Sequence, residues 1–107
     1  MKQGQDFVGV YFGAHWAPPC RLFTPSLADF YGKVNAGGEL GRKKIEIVFC
    51  SLDGNLNAFE RNYAEMPFCA IPYEDEQRIQ NLKQRFGING IPTLVILDKK
   101  GDLVSFE

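Results

Sequence analysis

Cys20 and Ala17 pose the chemical question in this sequence. Disulfide exchange needs a thiolate that attacks one sulfur of a substrate disulfide, and a second thiol near enough to attack the mixed disulfide and release the product. Two cysteines separated by two residues at a helix start meet that need. The strand-to-helix turn exposes the first sulfur, and the orphan N–H groups of the first helical turn, with the helix dipole, favour its thiolate. The second sulfur sits one turn in and more shielded. The pentapeptide Trp16-Ala17-Pro18-Pro19-Cys20 has this layout with alanine in the first place and cysteine in the second. A methyl group cannot attack sulfur, so dithiol turnover is not expected of the chain as written.

The other reactive residues carry weaker signals. Cys50 lies among Val48, Phe49 and Leu52, where a thiol fills a core as a small hydrophobe. Cys69 follows Phe68 and is open to oxidation, glutathionylation or crosslinking, but whether it reaches Cys20 depends on a Cα separation that sequence does not give. His15, when protonated, can stabilise a neighbouring thiolate, or it can be a solvated loop residue. Arg21 can orient an anionic group or hold a carboxylate, or simply face solvent. Three scattered cysteines and one histidine do not make a zinc spacing, so neither a metal nor another cofactor is expected.

The elements that must position these groups alternate between strand and helix. Phe7 to Phe12 is an apolar run with β-branched and aromatic residues, the pattern of a strand covered on both faces. From Pro19 to about Val34 the stripe Phe23, Leu27, Phe30, Val34 steps by four, three and four, a helix face, with Pro25 expected to kink it near the second turn. Asn35 to Gly41 contains three glycines and leads to Ile45–Leu52, a second strand dense enough in apolar residues to be central.

Two parallel strands joined by a helix form a right-handed βαβ unit. Leu56, Phe59, Tyr63 and Met66 mark a second helix. Ile79, Leu82 and Phe86 mark a third, with Glu74, Asp75 and Glu76 at its positive end and Gly87 as its stop. Thr93–Asp98 and Leu103–Phe106 flank Lys99-Lys100-Gly101-Asp102 as a hairpin. A central mixed β-sheet flanked by helices follows, in an α/β domain.

At 107 residues and 45% apolar content, one domain spanning 1–107 with a small core is the expectation. The formal charge of −1 and pI near 5.8 give no electrostatic reason to expect nucleic acid or an anionic membrane surface. Arg42-Lys43-Lys44 reads as a solvated lead-in to a strand. Met1 to Asp6 lacks a signal-peptide pattern, and no run approaches the ~18 apolar residues of a membrane span. A cytoplasmic, or nuclear, monomer with free thiols is expected.

Val8-Gly9-Val10-Tyr11-Phe12-Gly13-Ala14-His15-Trp16, then Pro18-Pro19-Cys20-Arg21 and Phe23-Thr24-Pro25, resemble the active-site segment of the tryparedoxin and nucleoredoxin branch of the thioredoxin superfamily. That branch carries Trp-Cys-Pro-Pro-Cys-Arg. Val48-Phe49-Cys50-Ser51-Leu52-Asp53, Met66-Pro67-Phe68, Pro72-Tyr73, Gly87-Ile88 and Ile91-Pro92-Thr93-Leu94 resemble its further signatures, so the likeness runs from about Phe7 to Glu107. Ala14-His15 and Tyr73-Glu74-Asp75 lean toward nucleoredoxin.

The resemblance implies a thioredoxin-like fold and reduction of disulfides in protein partners. It makes position 17 the place of the nucleophilic cysteine and Cys20 the resolving cysteine. It makes Trp16, Pro18, Pro19, Arg21, Phe68, Ile91 and Pro92 the substrate-binding set. Pro92 corresponds to the family's cis-proline, the backbone before it pairing with an extended substrate, and Phe68 to a tryptophan that lines the site. Tyr11 stands where thioredoxins proper place a buried acid. Partners are disulfide-bearing or thiol-bearing proteins, with a low-molecular-weight thiol or a reductase as electron donor. The family's domains continue into a C-terminal helix. The chain ends at Glu107, so a fold without that helix is expected.

Three readings of the alanine stand open. The nucleophile of an otherwise competent oxidoreductase has been replaced, which blocks its chemistry; or the domain is a redox-silent interaction module that keeps the groove; or it is a monothiol regulator acting through Cys20 or Cys69.

Overall fold

A computed structural model describes residues 6–36 and 44–106. Met1 to Gln5, the glycines at 37, 38 and 41, Arg42-Lys43 and Glu107 lie outside the described residues, together with the expectations attached to them. Among the described residues the elements run β1 (Phe7–Gly13), α1 (Pro18–Ala36), β2 (Ile45–Ser51), α2 (Leu56–Tyr63), β3 (Cys69–Ala70), α3 (Glu76–Phe86), β4 (Thr93–Asp98) and β5 (Leu103–Phe106). All but the two-residue β3 are anticipated by the hydrophobic pattern.

The five strands form one mixed sheet in the order β3-β2-β1-β4-β5. β1 pairs parallel with β2, Phe12 opposite Cys50, and antiparallel with β4, Phe12 opposite Thr93. The C-terminal ends of β1 and β2 and the start of β4 therefore share one end of the sheet. In an open α/β sheet that end is where loops gather to make a site.

Alternation along the strands divides the core in two. Tyr11, Ile47, Phe49 and Leu94 pack with Leu27 and Tyr31 of α1 and Phe59 of α2 on one face. Val10, Phe12, Cys50 and Val95 pack with Ile79 of α3 on the other. Successive side chains of a strand point to opposite faces, so both faces need apolar residues, and β1 reads as an apolar run and β2 as one interrupted only by Glu46 before its final Ser51.

Helix α1 buries Cys20, Thr24, Leu27 and Tyr31. The stripe expected from sequence is turned by one position: Phe23 and Val34 are half-buried and Phe30 is exposed. Thr24 and Tyr31 are polar enough to escape an apolar count, yet their hydroxyls are bonded inside, Tyr11 with Thr24 at 2.7 Å and Tyr31 to Glu46 Oε1 at 2.9 Å. The helix continues through Pro25, which has no N–H to offer the Arg21 carbonyl.

α2 opens on Asn55, whose side chain accepts from the Ala58 amide at 2.8 Å. It ends at Tyr63, so Met66 is buried beyond the helix rather than on it. α3 opens on Asp75, whose side chain accepts from the Arg78 amide, and closes on Gly87 at φ 62, a left-handed conformation that glycine adopts without a steric penalty.

Candidate functional site

The elbow between β1 and α1 starts where the sheet stops. Leu52 N donates to Gly13 O at 2.9 Å, the last rung between the two central strands. Beyond it the Ala17 amide donates to Ala14 O at 3.3 Å, and Ala17 O accepts from Cys20 N at 2.9 Å and Arg21 N at 3.3 Å. Ala17 is thus the residue that caps α1. Pro18 and Pro19 fill the first two helical positions, where a missing N–H costs nothing and a fixed φ suits the helix.

This corrects one expectation. The prolines remove two of the orphan donors of the first turn, and the Cys20 amide is occupied by Ala17 O. What favours an anion here is the helix dipole more than free N–H groups.

A second correction concerns exposure. Ala17 is 5% exposed, whereas the turn is expected to present its first position to solvent. Alanine ends at Cβ and reaches no further. The exposed surface at the elbow belongs to its neighbours: Trp16 at 62%, with Pro18, Pro19, Arg21 and Leu22 also exposed.

Cys20 is buried, at 2%. Burial pushes its thiol above the usual range, the Ala14 backbone and the Tyr11 hydroxyl pull the other way, and the negative charge of Asp53 adds to the rise. Tyr11 is itself pushed up to about 12, chiefly by burial, so its phenol stays protonated and serves as a hydrogen-bonding group. A Cβ on Gly13 would come within 2.9 Å of the Tyr11 ring and hydroxyl, so glycine leaves the room that ring occupies.

Three further contacts hold the turn ahead of position 17. Asp53 Oδ1 accepts the His15 amide at 2.7 Å. Arg21 Nη1 donates to His15 O at 3.0 Å. Trp16 Nε1 donates to Leu52 O at 3.4 Å. Arg21 therefore braces the elbow backbone, a third possibility beside anion binding and plain solvation, and His15 contributes through its peptide while its side chain is exposed.

Asp53 and Tyr73 are the site residues that sequence reasoning missed. Ser51 Oγ donates to Asp53 Oδ2 at 2.6 Å and accepts from Asp53 N at 3.0 Å, and Tyr73 Oη donates to Asp53 O at 2.7 Å. A Ser-x-Asp step leaving an apolar strand was the available signal, because such side chains bond locally to backbone. Asp53 also walls a cleft of ≈ 300 Å³ that reaches Ser51, Tyr73, Gln80 and Lys83.

Ile91 and Pro92 sit at the same end of the sheet, immediately before Thr93, and the peptide between them is cis. Thr93 Oγ1 donates to Gly90 O at 2.7 Å and closes that loop. Phe68 does not join the site. It is 3% exposed, with its ring edge-on to Tyr31 at 5.5 Å and to Tyr11 at 6.5 Å. The resemblance placed it on the substrate wall; the backbone entering β3 turns it into the core instead.

Cys50 is fully buried and pushed up to about 12 by burial, a core residue. Cys69 is exposed on edge strand β3. Among the described residues no cluster of three or more histidines, cysteines or carboxylates could hold a metal ion, and no helix is long and apolar enough to cross a membrane.

The sequence profile of the family described as Thioredoxin-like matches residues 4–103. The chain belongs to the thioredoxin-like family. It is 45% identical over 98 residues to nucleoredoxin of Bos taurus, a match covering 92% of this chain and 22% of that protein. It is 40% identical over 91 residues to tryparedoxin of Trypanosoma brucei brucei, covering 85% and 60%. The chain thus spans about a fifth of the length of the nucleoredoxin it matches. A solved tryparedoxin II complexed with glutathionylspermidine superposes with a TM-score of 0.86 at 34% identity, covering 97% of this chain and 69% of that one. Within this family of oxidoreductases the fold is thioredoxin-like, and the branch is the one that the active-site segment resembles.

Proposed function

We propose that this thioredoxin-like domain is a protein-disulfide exchange module of the nucleoredoxin and tryparedoxin type, silent in dithiol turnover because position 17 carries a methyl group. The observation that carries the reading is the placing of Cys20. It lies buried one turn behind Ala17, its amide bonded to Ala17 O, where a second sulfur waits for a mixed disulfide formed in front of it.

In the complete reaction a thiolate at position 17 attacks one sulfur of a partner's disulfide and expels the other as thiolate. Cys20 then loses its proton and attacks the sulfur at position 17. The partner leaves reduced, and an internal disulfide remains for a donor thiol to reduce. Here the first step has no sulfur. Trp16, Pro18 and Pro19 offer the exposed surface for the partner, Arg21 shapes it, and the backbone at Ile91-Pro92 receives an extended segment.

Partners are proteins bearing disulfides or thiols, met by a monomer in the cytoplasm or nucleus. A low-molecular-weight thiol is the reading's electron donor, in keeping with the glutathionylspermidine bound to a tryparedoxin. The burial of Cys20 disfavours a monothiol role for it.

The test is Ala17→Cys. The variant gains turnover of a disulfide protein such as insulin with a dithiol as donor, and Ala17→Cys combined with Cys20→Ser stops at a mixed disulfide. No gain over the unmodified chain overturns the reading.

A further inference from the structure

Asp53 is 6% exposed, and among the described residues no cation lies within ion-pair distance of it. A buried carboxylate without a counter-ion is costly unless donors replace its water. Here the donors are the Ser51 hydroxyl at 2.6 Å and the His15 amide at 2.7 Å, distances typical of bonds to an ionised acceptor. The second of these joins the strand end of β2 to the turn that leads into α1, across 38 residues of sequence. Its partner carbonyl, on the same residue, is held by Arg21. The two peptide units that flank His15 are therefore each fixed, one at its N–H and the other at its C=O.

The carboxylate also acts on the buried sulfur. The groups whose charge or hydrogen bonding bears on Cys20 are the Tyr11 hydroxyl from β1, the Ala14 peptide from the elbow and Asp53 from the loop after β2. Tyr11 is neutral and turned to Thr24 at 2.7 Å. Asp53 supplies the anionic side of this surrounding.

We propose that Asp53 is a positioning residue of the site: it holds the turn ahead of position 17 through the His15 amide and keeps a negative charge against the Cys20 sulfur. The inference rests on the exchange reading for its purpose. Burial is the main cause that keeps Cys20 a neutral thiol, and the Asp53 charge adds to it; a sulfur held neutral leaves attack on the partner to position 17 alone and delays the second sulfur until a mixed disulfide has formed. The geometry itself is present with or without a nucleophile.

The experiment therefore uses the chain with Ala17 in place, labelled with 15N and with 13C at cysteine Cβ. Cys20→Ser, Cys50→Ser and Cys69→Ser variants assign the three thiols. Asp53→Asn retains an oxygen acceptor and removes the charge; its Cys20 Cβ signal titrates at lower pH than in the unmodified chain. Asp53→Ala removes both, and its His15 amide exchanges with solvent on the order of tenfold faster, the loss expected for a local hydrogen bond of this kind.

A Cys20 titration in Asp53→Asn that coincides with the unmodified chain overturns the proposal, and so does an unchanged His15 exchange rate in Asp53→Ala. Should Asp53→Ala fail to fold, the Asp53→Asn titration decides alone. None of these readouts requires turnover, so their failure is separate from failure of the Ala17→Cys assay.

Discussion

Tyr11 Oη and Thr24 Oγ1 lie 2.7 Å apart in the interior, joining the central strand to the helix that carries Cys20. Neither hydroxyl has water to fall back on, so removing one partner costs the other a bond that solvent cannot replace, though Tyr11 keeps its contact with Cys20. Thr24→Val is expected to destabilise the domain by about 1–3 kcal/mol, and Tyr11→Phe by a similar or smaller amount since its ring packing is kept. The double variant costs less than the sum, because either change alone already breaks the bond. Urea unfolding of the four proteins measures the coupling.

Phe68 separates a core reading from a site-wall reading. Packed edge-on between Tyr31 and Tyr11 and 3% exposed, it is expected to cost about 3–5 kcal/mol when truncated by Phe68→Ala. A residue lining an open groove would lose well under that. Thermal or urea denaturation of the variant distinguishes the two.

Stability falls as the solution becomes alkaline. Burial pushes Cys50 from 9.0 to about 12, against a smaller downward pull from Lys83, and pushes Tyr11 from 10.0 to about 12. Between those limits the folded chain keeps protons that the unfolded chain releases, so unfolding free energy decreases with rising pH; below about pH 9 the contribution is fully present. Cys50→Ala lowers stability at neutral pH but flattens the alkaline slope, by at most about 1.4 kcal/mol per pH unit. Urea titrations at about pH 8 and about pH 10.5 give the slope. An unchanged slope in Cys50→Ala contradicts the assignment.

Arg21 braces the elbow through its backbone. With its guanidinium on His15 O at 3.0 Å, Arg21→Ala is expected to speed exchange of the elbow amides while leaving the chain folded, since the bond is exposed and worth about 1 kcal/mol. Amide exchange at Trp16 and Ala17 checks this; rates equal to those of the unmodified chain count against it.

The parts of this site legible in the sequence are those whose cause is local. The apolar runs of β1 and β2, the start of α1 to within one residue of Pro19, the glycine stop at Gly87 and the glycine hairpin turn at Gly101 follow from periodicity and backbone preference within a few residues. The buried face of α1 lies one position from the apolar stripe because Thr24 and Tyr31 bury hydroxyls that find partners only in the folded chain.

For Asp53 the sequence offers only the local Ser-x-Asp step; its bond to the His15 amide spans 38 residues and is not legible there. Phe68 lies in the core rather than on the substrate wall, because a family likeness gives a position and not the direction of a side chain in an irregular segment. The cis peptide before Pro92 came from the likeness alone.

The central claim is that position 17 and Cys20 are the two places of one dithiol. Ala17→Cys, oxidised mildly and examined by intact mass and peptide mapping, tests it most directly. The predicted result is loss of two hydrogens per chain, restored by a dithiol reductant, with a single crosslink between residue 17 and Cys20 and with Cys50 and Cys69 unmodified. Free thiols at both places under the same oxidation, or a crosslink that runs to Cys69 instead, contradict it.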